Sequence, residues 1–456
     1  MKILLVFIFA ILPIFAQNQI YTNLSLNKAI EIVKKDNLEI NIARFDEKIK
    51  SFEHQIATGY NYGKLDLIQY AMRSNDAGNV FGYKLASREA NFGDFGAQEF
   101  MNNFIITGHP DYITPPNDLN YPAPRNFFQT KLKYKLPIYT GGKLEQYGKI
   151  TAALTKMSNL DTQKITNEKI YQVKKSYFDV YLLNTYIKNL NIIKANMERL
   201  ENMASSMIEE GYAKKVDLLE VQAKKSNVLR MLHQAKANKV LVYKFLSFLL
   251  NADVKSVQRS YRNITPRHID AKEIIQSNLD IQKAKLGLKI TDMNIKLQES
   301  VNLPQVGAFA EYSSADNQFL NNFSKHDAYT IGMQLKWSIF NGGVDKNNIE
   351  KARVENLKTK TQVELAKKGI ILQVAKIKTE IENFDFSIDS LNKELELSRV
   401  IYRNYLGRYQ EKLVSINDVI IKQSIEIKKV LKLKETENKK IDKVLELEKI
   451  ANGAGI

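Results

Sequence analysis

Residues 131–139 alternate without a fault. Lys131, Lys133 and Lys135 fall on one side; Leu132, Tyr134, Leu136 and Ile138 fall on the other. A period of two with one polar and one apolar face predicts a β-strand between an apolar phase and water, although a strand of a soluble sandwich carries the same pattern. The alternation returns at residues 331–339. Ile331, Met333, Leu335, Trp337 and Ile339 share one side, and Gly332, Gln334, Lys336 and Ser338 the other. Gly141-Gly142 follows the first passage and Gly342-Gly343 the second, a shift of 201 residues. Lys215-Val-Asp217-Leu matches Ile416-Asn-Asp418-Val at the same shift. Two separate matches at one offset point to a duplicated unit.

After each Gly-Gly the period changes to that of a helix. The chain reads helical to about Glu210 in the first half and to about Lys412 in the second. Ile370, Val374, Ile377, Ile381, Phe384, Ile388, Leu391 and Leu395 are spaced alternately by four and three, which is a coiled-coil seam. Val173, Ser176, Val180, Leu183, Ile187 and Leu190 hold the same spacing in the first half. Each long helix has about 68 residues and a length of about 100 Å. Returning helices over about 217–250 and 417–450 have about 34 residues, and leading helices over about 25–56 and 271–300 about 30. One leading and one returning helix together match one long helix. The economical packing stacks the two short helices end to end beside the long one.

Residues 59–128 are rich in Gly, Asn, Tyr, Phe and Pro, which reads as strand, turn and long loop rather than helix. Asp36-Asn-Leu-Glu-Ile40 echoes Ser277-Asn-Leu-Asp-Ile281 at a shift of 241. The difference of 40 from the other offset places an insertion in this stretch. Less regular strands near 59–70 and 304–312 bring the expectation to four strands per chain. Such a sheet in lipid leaves edge N–H and C=O groups unpaired and cannot close on itself. Several copies must then join their strands into one wall.

Lys2 precedes an apolar run from Ile3 to Phe15, with Ala16-Gln17 as a cleavage point. As a helix the run reaches about 20 Å, short of a ~30 Å hydrocarbon layer, so a secretory signal peptide is expected rather than an anchor. The expected organisation is signal peptide 1–16, first unit 17–250 with a crown loop at 71–129, connector 251–270, second unit 271–450 and tail 451–456. The chain of 456 residues has no cysteine, which excludes disulfides, thiolate metal sites and cysteine nucleophiles. Its net charge of +17 reads as a lysine-rich solvated helix surface, without the Arg-rich arm of a nucleic-acid binder. His54, His109, His233, His268 and His326 are scattered without metal-ligand spacing, and no P-loop, dinucleotide fingerprint or nucleophile elbow is present. No enzymatic activity, cofactor, metal or nucleic-acid partner is expected.

The chain resembles the TolC-like outer membrane efflux proteins over nearly all its length. The markers are Leu24-Ser-Leu-Asn-Lys-Ala-Ile30, a strand ending in Gly-Gly in each half, and a helix–turn–helix tip with Asp in each half. The resemblance implies long antiparallel coiled-coil helices forming a trimeric α-barrel, and a 12-stranded transmembrane β-barrel with four strands from each protomer. It implies the exit duct of a tripartite efflux or type I secretion system in a Gram-negative outer membrane, extending into the periplasm. Its partners are outer membrane lipid, a periplasmic membrane-fusion adaptor and an inner-membrane pump of RND or ABC type. The alternative is an exported coiled-coil scaffold or adhesin that forms no channel.

The resemblance also assigns roles to residues. The tips, Gly211, Tyr212, Ala213, Lys214, Lys215 and Lys412, Leu413, Val414, Ser415, are where the adaptor docks. Asp217, Asp418 and Tyr409 belong to the closing constriction. Val414 and Ile421 stand where a basic and an acidic partner are expected, so the closed state is expected to be weakly latched. Lys131, Lys133, Lys135 and Lys336 would face the barrel lumen. Gly141, Gly142, Gly342 and Gly343 would form the strand–helix junctions, with Tyr139, Trp337 and Phe340 as interfacial aromatics.

Overall fold

The computed structural model describes residues 19–258, 271–319 and 325–451. The expected signal peptide, residues 259–270 of the connector with His268, and residues 452–456 of the tail lie outside them. In chain order the elements are β1 (Ile20–Tyr21), α1 (Leu26–Asp36), α2 (Leu38–Gly59), β2 (Lys64–Ser74), α3 (Ala77–Ala86), α4 (Ala97–Thr107), α5 (Asn117–Asn120), β3 (Arg125–Tyr139), α6 (Lys143–Glu209), α7 (Lys215–Leu250), β4 (Asp253–Val254), α8 (Ala271–Ser277), α9 (Leu279–Glu299), β5 (Gln305–Asp316), β6 (Asp327–Lys336), α10 (Val344–Gln410) and α11 (Ile416–Ile450). The protein is mainly helical with some sheet. The long helices α6 and α10 have 67 residues each, and α7 and α11 have 36 and 35.

The helical unit draws on the described residues of Met1–Lys48, Lys156–Leu286 and Lys360–Ile456. The heptad positions of both long helices are buried or half-buried. Val374, Ile377 and Ile381 of α10 meet Val444, Leu447 and Ile450 of α11, while Leu395 meets Val430 and Leu433. In the first half Val173 and Tyr177 meet Leu246, Leu249 and Leu250 of α7 together with Ala29 and Val33 of α1. Ion pairs span the flanks, among them Lys175 to Asp442 at 2.8 Å and Lys449 to Glu168 at 2.9 Å.

The leading helices are broken, contrary to the uninterrupted spans expected over 25–56 and 271–300. Asn37 separates α1 from α2, and Asn278 separates α8 from α9. Each caps the helix after it: Asn37 Oδ1 accepts from Ile40 N–H at 3.1 Å, and Asn278 Oδ1 from Ile281 N–H at 3.1 Å. A helical period continues through such a break because both pieces bury the same stripe. The period therefore cannot reveal the break.

The sheet unit draws on Ile49–Thr155 and Gly287–Thr359. Its four strands run in the order β2-β3-β5-β6, every pair antiparallel. Opposed residues share a face. One face carries rows such as Leu65, Tyr134, Ala310, Ile331 and Leu67, Leu132, Tyr312, Tyr329. The other carries Asp66, Lys133, Glu311, Thr330. β2 and β6 are the two edges, and each leaves one ladder side without a partner strand among the described residues.

Several expectations are corrected here. β2 extends to Ser74 and β3 starts at Arg125, so the connection is shorter than 71–129. It also contains the helices α3, α4 and α5. These are short and locally capped: Asp76 accepts from Asn79 N–H at 3.0 Å at the start of α3, and Gly96 and Gly108 take left-handed φ at the ends of α4. Pieces this short hold too few turns for a helical period to stand out. β6 stops at Lys336, so Trp337, Ser338 and Ile339 fall outside it; the Trp337 indole donates to Asn302 O at 3.1 Å.

Candidate functional site

Two helix–turn–helix tips close the helical unit. At the first, Gly211 takes φ +80° and Tyr212 N–H reaches back to Met207 O at 2.8 Å. At the second, Lys412 takes φ +65° and Leu413 N–H reaches Arg408 O at 2.9 Å. Both are left-handed helix terminations closed by a six-to-one hydrogen bond. Glycine makes that turn without strain, whereas lysine does not.

The second half places Lys412 there for a visible reason. Its ammonium lies 3.6 Å from the centroid of the Tyr212 ring and 3.6 Å from Glu210. One strained residue thus joins the two tips. Tyr212 and Leu413 are exposed, Ala213 and Val414 half-buried, and Lys214, Lys215 and Ser415 exposed. Val414 packs against an apolar core that includes Leu200, Ala204, Val221, Tyr409, Ile416 and Ile420. Ile421 is 45% exposed.

Both aspartates fold back on their own helix starts. Asp217 Oδ2 accepts from Lys214 N–H at 2.9 Å. Asp418 Oδ2 accepts from Ser415 N–H at 3.2 Å, and Asp418 N–H donates to Ser415 Oγ at 3.2 Å, completing a capping box. Tyr409 and Asp217, both expected at the closing constriction, form no hydrogen bond with each other. The Tyr409 hydroxyl is buried and makes no hydrogen bond among the described residues. Burial raises its pKa, and the nearby charge of Asp217 raises it further.

Behind the tips, Arg199, Arg399, Arg403, Tyr402 and Glu426 line a cleft of about 410 Å³ between α6, α10 and α11. Arg399 Nε stands 3.5 Å from Glu426. Burial pushes the Glu426 carboxyl up, and Arg399 and Arg403 only partly offset it. Desolvation pushes the Tyr402 hydroxyl up to about 12. The scattered arginines of the sequence gave no sign of this grouping, because they meet only across helices.

In the sheet unit, Lys131, Lys133, Lys135 and Lys336 do share one face. Between the first two stands Glu311, which the sequence reading overlooked. It lies 3.3 Å from Lys131 and contacts Lys133. Its strand alternates imperfectly, with Phe309 on the polar face above Gly332, so the pattern concealed its direction. The junction glycines all take positive φ: Gly141 +65°, Gly142 +82°, Gly342 +55° and Gly343 +79°. Gly141 also lacks room, since a Cβ there would stand 2.6 Å from Ser300 O.

Residues 271–419 match the family model described as outer membrane efflux protein. The chain is similar in structure to CusC, described in work on transmembrane channel formation, with a TM-score of 0.78, 14% identity and 94% of this chain covering 95% of that one. The CmeC outer membrane channel of Campylobacter jejuni gives 0.77, 15% identity, 94% and 85%. The outer membrane protein VceC of Vibrio cholerae gives 0.76, 13%, 94% and 96%. No curated protein sequence matches the chain. The chain has the fold of these outer membrane channels. No helix among the described residues is long and apolar enough to cross a membrane.

Proposed function

We propose that this protein is a homotrimeric outer membrane exit duct for efflux or type I secretion. The observation that carries the reading is the four-stranded sheet with two faces and two unpaired edges, β2 and β6. In lipid, each unpaired backbone group costs several kcal/mol, so the edges require partners. Joining β6 of one copy to β2 of the next satisfies them, and three copies give twelve strands, within the range of closed barrels. The likeness to channel structures and the duplicated halves favour three copies.

In that barrel Lys131, Lys133, Lys135, Lys336 and Glu311 line the lumen, and the rows through Leu65 and Leu67 meet lipid. The tips at Gly211–Lys215 and Lys412–Ser415 are the adaptor-docking surface, and an inner-membrane pump of RND or ABC type supplies the energy. Asp217 and Asp418 form rings of like charge by symmetry, screened by Lys214, Lys215 and Lys412. With Val414 and Ile421 apolar and Tyr409 unbonded, no ionic lock holds the constriction shut. No cofactor takes part.

Fractionation and planar-bilayer recording test the reading together. The duct is expected in the outer membrane and conducts readily, consistent with a weak latch. Recovery in the soluble periplasmic fraction would favour the scaffold alternative, and a tightly closed, low-conductance resting state would contradict the missing lock.

A further inference from the structure

The structure brings together three side chains that the sequence keeps far apart. Glu89 follows α3, Asp316 ends β5, and His326 precedes β6. One ligand atom from each lies within 4.8 Å of the others, the one such group of three among the described residues. Asp316 is 4% exposed, yet among the described residues its Oδ2 accepts no hydrogen bond; its Oδ1 accepts from Gln318 N–H at 3.3 Å. Nδ1 of His326 is likewise buried without a hydrogen-bond partner among the described residues, 3.4 Å from that Oδ2. Burying polar atoms without partners costs about 1–3 kcal/mol each, so the pair calls for an occupant.

The 3.4 Å between Asp316 and His326 suits one. Ligand atoms about 2.0–2.1 Å from a single tetrahedral zinc ion stand about 3.4 Å from one another. The third ligand is already oriented. Ser87 Oγ–H donates to Glu89 Oε2 at 3.0 Å, and Arg125 contacts that same oxygen and donates to Ser87 Oγ at 3.1 Å. Both contacts hold Oε2, which leaves Oε1 to turn toward the other two. Such outer contacts fix ligating carboxylates in metal sites. The charge also fits. Two carboxylates against one guanidinium leave a negative excess beside the imidazole, which suits a divalent cation of the zinc class.

We propose that Glu89, Asp316 and His326 form a divalent metal site, of Zn(II) type, that ties the β2–β3 connection to the β5–β6 connection. Arg88, which donates to Asp327 O at 2.5 Å, already joins the same two segments. The site is independent of the duct reading, since it needs only the sheet unit's local geometry.

The test uses the full chain in detergent, stripped with chelator and titrated with ZnCl2 by calorimetry, with Co(II) absorption reporting coordination. The expected result is one ion per chain, a thermal midpoint that rises with zinc and not with Mg(II), and a d–d band of tetrahedral cobalt. His326→Gln keeps the side-chain bulk and is expected to weaken zinc affinity by at least about 10-fold; Asp316→Asn acts likewise, and His54→Gln leaves binding unchanged. Absence of zinc binding, or binding unaltered in His326→Gln, overturns the proposal. If His326→Gln lowers the midpoint without zinc while the parent ignores zinc, His326 is a charged partner of Asp316 instead.

Discussion

Asn37 and Asn278 perform the same double task at matching points of the two halves. Asn37 Nδ2–H donates to Leu249 O at 2.8 Å, in the last turn of α7. Asn278 Nδ2–H donates to Ile450 O at 3.0 Å, in the last turn of α11. Each amide thus closes one helix while its oxygen starts another. The hydrogen bonds fix how a leading helix meets a returning one.

Removing either amide therefore leaves a buried carbonyl and a helix start unsatisfied. Asn37→Ala and Asn278→Ala are each expected to cost about 1–3 kcal/mol. Asn37→Asp keeps the cap for Ile40 but sets a carboxylate against Leu249 O, so it also destabilises. Denaturant unfolding followed by circular dichroism checks this; an unchanged midpoint in both alanine variants contradicts it.

At the second tip, backbone strain and a cation compete. Lys412→Gly relieves about 1 kcal/mol of left-handed strain and loses a comparable cation–π contact with Tyr212. Its stability is expected within about 0.5 kcal/mol of the parent. Lys412→Ala keeps the strain and loses the contact, so it is expected to fall about 1 kcal/mol below the glycine variant. Thermal melts of the three proteins rank them.

The junction glycines are not equivalent. Gly141→Ala sets its Cβ 2.6 Å from Ser300 O at φ +65°, while Gly342→Ala at φ +55° meets no atom within 4 Å. The first is expected to cost about 2–4 kcal/mol and the second about 1 kcal/mol. Equal losses on unfolding would contradict the close approach.

Glu426 gives a pH dependence with a definite sign. Its folded pKa lies above the ordinary carboxylate value because burial outweighs Arg399 and Arg403. The folded state therefore binds the proton more readily. This contribution favours folding in acid and is lost as pH rises through the folded pKa. Glu426→Gln is expected to stabilise at neutral pH, with the gain shrinking toward acid. Melts across that range check the sign.

What the sequence made legible was whatever repeats at short period. The heptads through Val374 and Ile377, the alternation through Lys131 and Lys133, and the glycines at both junctions all stand where their spacing put them. What it hid depends on distant pairs. The role of Asn37 needs Leu249, Glu311 needs Lys131 and Lys133, and Arg399 needs Glu426. The motif around Asn37 was visible twice in the sequence, but a helical stripe reads through the break that the asparagine makes. The crown helices were missed because a one- to three-turn helix owes more to its caps, such as Asp76, than to period.

If neighbouring copies complete the open sheet, native mass spectrometry of the particle extracted from outer membranes is expected to give the mass of three chains. A folded monomer that stays soluble without detergent, with β2 and β6 unpaired, would contradict it.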